Sequence, residues 1–224
     1  MENVKNLIVD HFSKALGIGR SYGSVSADRI RPYILHTVPE SLMDLLVGPV
    51  SDDEIRKTIF SIGDYRAPGP DGFSAHFFKE AWDIMGPSVC EAIRDFFNHG
   101  LLLKQMNSTI ISLIPKVQSP RLVSDYRPIS CYNVIYKVIS KIIANRLKMR
   151  LSYLVDKCQT AFVAGRHISD NILLAQELLH KYHLGHGPPR CTLKIDLMKA
   201  YDSIHWDFII SVLTIMNFPP KMIN

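Results

Sequence analysis

A chain of 224 residues, 47% hydrophobic and 21% charged, is long enough to bury a sizeable core and too apolar to stay disordered. Its apolar runs fall short of the ~20 residues a membrane-spanning helix needs, and its opening, MENVKNLIVDHF, mixes acid and amide residues among the apolar ones, unlike a secretory leader. The net charge of +5 is unevenly placed, with −4 over residues 1–100 and +7 over residues 116–150, so a polyanion-binding surface and a merely solvated helix face are both open.

In chain order, residues 3–16 place Val4, Leu7, Ile8, Phe12 and Leu16 on one helical stripe. Residues 17–50, with GIGRSYGS and scattered prolines, read as an irregular link. Ser51-Asp52-Asp53-Glu54 is a capping-box sequence that opens a short helix with Ile55, Ile59 and Ile62 inward. The two prolines and two glycines of RAPGPDG, residues 66–72, exclude regular structure, and Asp71 is placed to bond neighbouring amides. Two helices follow, over about 74–85 and 87–99, the second stopped by Gly100.

Thr109–Pro115 is β-branched and apolar and predicts a strand. A turn-rich basic loop then leads to Arg127 and Pro128, before Val134–Leu154, the longest helix. Its apolar positions Val134, Ile135, Val138, Ile139, Ile142, Ile143, Leu147, Leu151 and Leu154 run at helical spacing, and its other face carries Lys137, Lys141, Lys148 and Arg150. A loop over 156–168, a helix over about 169–183, a strand at Cys191–Asp196 and a helix at Trp206–Asn217 complete the order. The fold class is α/β (α+β, helix-rich) with an incomplete sheet. The cysteines Cys90, Cys131, Cys158 and Cys191 form no C-x-x-C pair and are expected to be reduced, mostly buried thiols of an intracellular protein.

The chemistry concentrates in CTLKIDLMKAYDS. On a strand, Leu193, Ile195 and Leu197 face one way and Asp196 the other, displayed near the carboxyl end. A carboxylate so placed suits Mg²⁺, which takes one or two carboxylates and fills its shell with water and phosphates. An aspartate that merely caps a turn or helix would look the same. His180, His183 and His186 are spaced like a metal set, but no cysteine flanks them and the last lies beyond Gly185, so they read as helix-end residues rather than a zinc site. Gly17 and Gly19 follow no strand and do not form a dinucleotide loop.

KIDLMKAYDSIHW closely resembles the first catalytic motif of reverse transcriptases from non-LTR (LINE-type) retrotransposons, especially plant ones. RAPGPDGFSAHFFKEAW resembles that family's amino-terminal extension motif. TIISLIPK with DYRPISCYNVIYKVISKIIANRL resembles its first fingers motif, and CQTAFVAGRHISDNILLAQELLH its second. The matches run in the family's order from about Val50 onward, with Arg66 where lysine is usual, and Ala161 and Ala164 where other small residues or proline are common.

The resemblance implies the fingers and partial palm of a right-hand polymerase. Its domains would be an amino-terminal helix and linker at 1–50, the extension and fingers at 51–190, and the start of the palm at 191–224. It implies that Asp196 and the Leu197 carbonyl bind catalytic Mg²⁺, and that Tyr201 lies under the incoming sugar and excludes a 2′-hydroxyl. Lys116, Arg127 and Arg166 would lie near the triphosphate or template; Asp202 fits a helix cap better than a metal ligand. The partners would be an RNA template, a DNA primer and dNTPs, with the parent element working in cytoplasm and nucleus.

The family's paired aspartates (Y-x-D-D), its template grip and its thumb do not appear in the 28 residues after Asp196 or earlier. The chain is therefore expected to be a truncated, inactive piece with low solubility. The alternative is a non-enzymatic, basic nucleic-acid-binding module or a pseudogene product.

Overall fold

The computed structural model describes residues 2–16, 26–180, 191–196 and 204–223. Its backbone order is α1 (Glu2–Leu16), α2 (Ala27–Ile30), α3 (Glu40–Val47), α4 (Asp52–Phe60), α5 (Ala75–Glu80), α6 (Trp82–His99), β1 (Thr109–Pro115), β2 (Tyr126–Tyr132), α7 (Val134–Leu154), α8 (Ile168–Leu179), α9 (Trp206–Ile215) and α10 (Pro220–Ile223). The helix-rich class expected from the sequence is what forms.

The main core gathers where α4, α5, α6 and α7 meet. Ile55 and Ile59 of α4, Phe78 of α5, Val89 and Ile93 of α6, and Val134, Val138 and Ile142 of α7 pack there with almost no exposure. The serine that opens α4 behaves as its sequence predicts, its Oγ accepting from the Glu54 amide at 3.1 Å. The Glu54 carboxylate does not return to the cap. Instead it receives Arg146 of α7, whose Nε and Nη2 donate to the two carboxylate oxygens at 3.0 and 2.7 Å. The same guanidinium donates to the carbonyls of Leu46, Gly48 and Pro49 at 3.3, 2.8 and 3.3 Å. One buried arginine thus ties the carboxyl end of α3 to the first turn of α4.

A second, smaller core joins Val38, Leu46, Leu154 and Phe218. It corrects the expectation of an irregular link over 17–50: residues 26–47 contain α2, a 3₁₀ turn at Arg31–Tyr33 and α3, and the Val38 amide donates to the Met216 carbonyl at 2.7 Å. Elements of four to eight residues are too short to display a helical period, which is why they escape a pattern reading. α9 stops at Ile215, two residues before the expected end, in a left-handed turn. Asn217 has φ of 59°, its amide donates to Thr214 O, and the Phe218 amide reaches back to Leu213 O, both at 3.0 Å.

Three further expectations need correction. The break between α5 and α6 falls at Ala81, not before Pro87; the proline lies inside α6, where it removes one bond at an exposed early turn. The loop expected before Arg127 shortens, because Tyr126–Tyr132 forms β2, antiparallel to β1 from Thr109↔Tyr132 to Pro115↔Tyr126. A proline at 128, opposite Leu113, conceals that strand from a reading of the sequence. Cys191–Asp196, expected to be a strand, has no strand partner among the described residues, and Leu193 and Ile195 stand 80% and 79% exposed. Alternation alone does not make a strand when no neighbour supplies the ladder.

α1 forms as its stripe predicts, but Val4 and Leu7 remain exposed rather than packed. α8 likewise exposes Ile168, Ile172, Leu173 and Leu178. Of the cysteines, all free, only Cys90 is buried; Cys131 is half-buried, and Cys158 and Cys191 are exposed, against the expectation of mostly buried thiols.

Candidate nucleic-acid interface

The RAPGPDG segment is a packing device. Gly69 is buried against the junction of β2 and α7, where an added Cβ would stand 2.1 Å from Asn133 Oδ1 and 2.3 Å from its backbone nitrogen. Asn133 is itself 2% exposed and bridges three strands of chain. Its Oδ1 accepts from the Asp71 amide at 3.3 Å, and its Nδ2 donates to the carbonyls of Gln105 and Met106 at 3.1 and 3.5 Å. Asp71 closes the turn by accepting from the Phe73 amide at 3.0 Å, and Gly72, at φ of 76°, takes the left-handed corner. Lys137 Nζ donates to the Ala67 carbonyl at 2.6 Å, so α7 holds the segment at both ends.

The β1–β2 hairpin carries Lys116 and Arg127 to its tip. Arg127 lies opposite Ile114, and the Lys116 amide donates to the Asp125 carbonyl at 2.7 Å, continuing the ladder past β1. Lys116 Nζ donates to the Ser124 carbonyl at 2.7 Å, which uses one of its three protons. Arg127 is exposed and meets no acceptor among the described residues. Two cations are therefore displayed at one end of a rigid ribbon, an arrangement that fits phosphate groups.

The connecting loop is held by Asp125, whose carboxylate accepts from the Leu122 and Arg121 amides at 2.9 Å each. Those two bonds hold its carboxyl below the ordinary value of 3.8, and nearby Lys116 adds to the effect. A depressed carboxylate stabilises the fold above its unfolded pKa, and that contribution disappears as pH falls through the folded value. The Arg121 and Leu122 amides are therefore expected to keep their protection from hydrogen exchange through the ordinary carboxylate range in the wild type and to lose it only as pH falls through the lowered folded value, whereas Asp125→Ala loses it already at neutral pH. Unchanged protection in that variant would remove the carboxylate from this role.

The remaining expected site residues fall differently. Asp196 is exposed, in a segment that is neither helix nor strand, with no cation against it among the described residues. The described residues include no group of three or more His, Cys, Asp or Glu fit to hold a metal. Asp196 can therefore supply one carboxylate to Mg²⁺, and water, phosphate and other carboxylates would have to complete the shell. Leu197, Tyr201, Asp202, His183 and His186 lie outside the described residues. Arg166 is engaged locally: its Nη atoms donate to the carbonyls of Ser152 and Val155 at 2.9 Å, Gln159 at 2.6 Å, and Asp156. It clasps the loop after α7 to that helix's orphan carbonyls.

Asn133 and Arg146 were the organising residues a sequence reading missed. Arg146 had a visible signal, since it continues the buried Val138–Ile142 spacing of four and so belongs to the apolar face of α7. Asn133 gave none, because its partners are backbone groups far along the chain.

Residues 114–224 match the family model described as reverse transcriptase (RNA-dependent DNA polymerase). Over 190 residues, 85% of the chain, the sequence is 31% identical to the "Transposon TX1 uncharacterized 149 kDa protein" of Xenopus laevis. It is 27% identical over 79% of its length to the "Retrovirus-related Pol polyprotein from type-1 retrotransposable element R2" of Nasonia vitripennis. It is 23% identical over 78% of its length to the corresponding polyprotein of the type-2 element R2DM of Drosophila melanogaster. The chain spans only 14%, 16% and 16% of these three relatives.

Proposed function

We propose that this chain, which belongs to the reverse transcriptases of non-LTR retrotransposons, supplies the fingers and the first palm carboxylate for nucleotidyl transfer from a dNTP to a primer 3′-hydroxyl. The observation that carries the reading is the division of charge. Lys116 and Arg127 are displayed together at a hairpin tip, while the Asp196 carboxylate is open to solvent with no described cation to neutralise it. A triphosphate needs both: cations for its oxygens and a carboxylate for the Mg²⁺ that accompanies them.

In this reading Lys116 and Arg127 hold the phosphates and Asp196 holds the metal side of the same substrate. Bound Mg²⁺ would stabilise the charge that builds on the attacking and leaving oxygens. The Leu197 carbonyl would assist Asp196, and Tyr201 would lie beneath the sugar and select deoxyribose. Arg166 would support the template side from its clasp on the loop after α7. The partners are an RNA template, a DNA primer and dNTPs, and the parent element would act where chromosomal DNA is reached, in the nucleus after cytoplasmic synthesis.

One carboxylate cannot fix two metal ions, so the 224-residue polypeptide by itself is expected to extend no primer. The test is primer extension on an RNA template with Mg²⁺, using a polypeptide that joins these residues to a second motif with paired aspartates. There Asp196→Asn is expected to slow extension on the order of 10³-fold or more, corresponding to several kcal/mol of lost transition-state stabilisation. Extension at the parent rate by that variant would sink the proposal.

A further inference from the structure

A hollow of about 430 Å³ opens between the loop that follows α4, strand β2 and helix α7. Its wall carries a nucleophile that nucleotidyl transfer leaves unused, the thiol of Cys131, beside three cations, Arg66, Lys137 and Lys141. No carboxylate among the described residues lines it, and Asp64, in the same loop, is engaged elsewhere by Lys79 Nζ at 2.5 Å. Lys137 and Lys141 each donate to one carbonyl, Ala67 O at 2.6 Å and Ser61 O at 3.1 Å, and keep two protons apiece for another acceptor. The Arg66 guanidinium meets no acceptor among the described residues.

Cys131 is held in place by the ribbon. It pairs with Ile110 of β1, its carbonyl accepts from Thr109 Oγ1 at 3.0 Å, and its Sγ lies 3.9 Å from Ser112 Oγ. The thiol is half-buried and lines the hollow, so a reagent seated among the three cations meets the sulfur. The other thiols have different surroundings. Cys90 is buried, and burial pushes its pKa up. Cys158 is exposed, but its hydrogen bond to the Asp156 carboxylate pushes its pKa up, and the same carboxylate repels anions. Exposure favours Cys158; for an anionic reagent, charge favours Cys131.

We infer that Cys131 is a site of thiol–disulfide exchange with an anionic disulfide of the glutathione class, whose carboxylates seat on Arg66, Lys137 and Lys141. Each half of glutathione disulfide carries two carboxylates and one ammonium, a net negative charge that the hollow matches. The Cys131 thiol releases its proton to water, and its sulfur attacks one sulfur of the disulfide. The S–S bond of the reagent breaks, a new bond joins Cys131 Sγ to one glutathionyl sulfur, and the departing thiolate takes up a proton. Cys131 is oxidised and the released half is reduced, so the disulfide is itself the oxidant. The attached tripeptide would occupy the hollow and offset its positive charge, and excess free thiol reverses the step. The site stands on the thiol and its cations, independently of the polymerase reading.

The experiment exposes the reduced 224-residue chain, at low ionic strength, to glutathione disulfide, to the cationic disulfide cystamine and to neutral iodoacetamide. Peptide mass spectrometry reads the rate at each cysteine, and each disulfide rate is divided by the iodoacetamide rate at the same sulfur, which cancels differences in exposure. On that scale Cys131 is expected to react with glutathione disulfide faster than Cys158 does, and faster than it reacts with cystamine. Arg66→Gln is expected to slow glutathione uptake at Cys131 roughly fivefold, the worth of one charge pair at about 4 Å in water. Adding Lys141→Gln slows it further, while the Cys158 rates stay unchanged. Equal rates with the two disulfides at wild-type Cys131, a higher normalised glutathione rate at Cys158, or wild-type rates in both variants would each overturn the inference. None of these outcomes bears on primer extension by the Asp196 variant, so the two readings fail separately.

Discussion

Arg146→Met is expected to lower the unfolding free energy by about 3 kcal/mol, at the lower end of the range for breaking a buried ion pair by removing one partner. The lower end applies because Glu54 is 32% exposed and can turn to water once its partner is gone, whereas Arg146 is 8% exposed. Most of the loss comes from three carbonyls, Leu46, Gly48 and Pro49, left without their donor at the carboxyl end of α3. Arg146→Lys recovers only part, since an ammonium cannot fork across two carboxylate oxygens and reach three carbonyls as well. Urea denaturation of the two variants beside Lys148→Met, an exposed control expected within about 0.5 kcal/mol of wild type, separates this hub from general loss of basic charge. A shift in Arg146→Met no larger than the control would show that the guanidinium contributes nothing.

The second large effect concerns one atom. Gly69→Ala sets a methyl group 2.1 Å from Asn133 Oδ1, 2.3 Å from Asn133 N and 2.6 Å from the Tyr132 carbonyl carbon. Two of these three neighbours are backbone, so no rotamer change relieves the contact. The segment must lift away from α7, giving up the Asp71–Asn133 bond and the Lys137–Ala67 bond with it. The expected cost is about 3 kcal/mol, the top of the usual overpacking range. Gly72→Ala is the comparison: its added Cβ would meet nothing within 4 Å, and only its φ of 76° opposes the change, a penalty of about 1–2 kcal/mol. Thermal melts of the pair should therefore rank Gly69→Ala well below Gly72→Ala. The reverse order would mean the motif's first glycine serves the turn and not the packing.

These two residues also show where a sequence can be read and where it cannot. α4, α7 and β1 follow from local signals: a serine cap, a long apolar stripe and a β-branched run. β2 was hidden because Pro128 contradicts strand propensity, although its register with β1 tolerates a residue without an amide proton. The prominence of APGPDG was plain, but its purpose was not, since the partner that requires Gly69 is Asn133, 64 positions further along. Among the candidate site residues, Lys116 and Arg127 stand at one hairpin tip because β2 pairs with β1, while the strand meant to present Asp196 lacks a described neighbour. Long-range pairing, which no local pattern encodes, accounts for each of these differences.

Pro115 and Pro128 have a further effect beyond interrupting propensity. Neither ring nitrogen can donate, and the Lys116–Asp125 bond sets the alternation so that both positions point away from the partner strand, one toward each outer margin of the ribbon. Each margin therefore has a gap in its row of donors near the tip, where a foreign β-segment would otherwise zip on. The ribbon is thus guarded against recruitment into larger sheets along both borders, at the end where its two displayed cations must stay accessible.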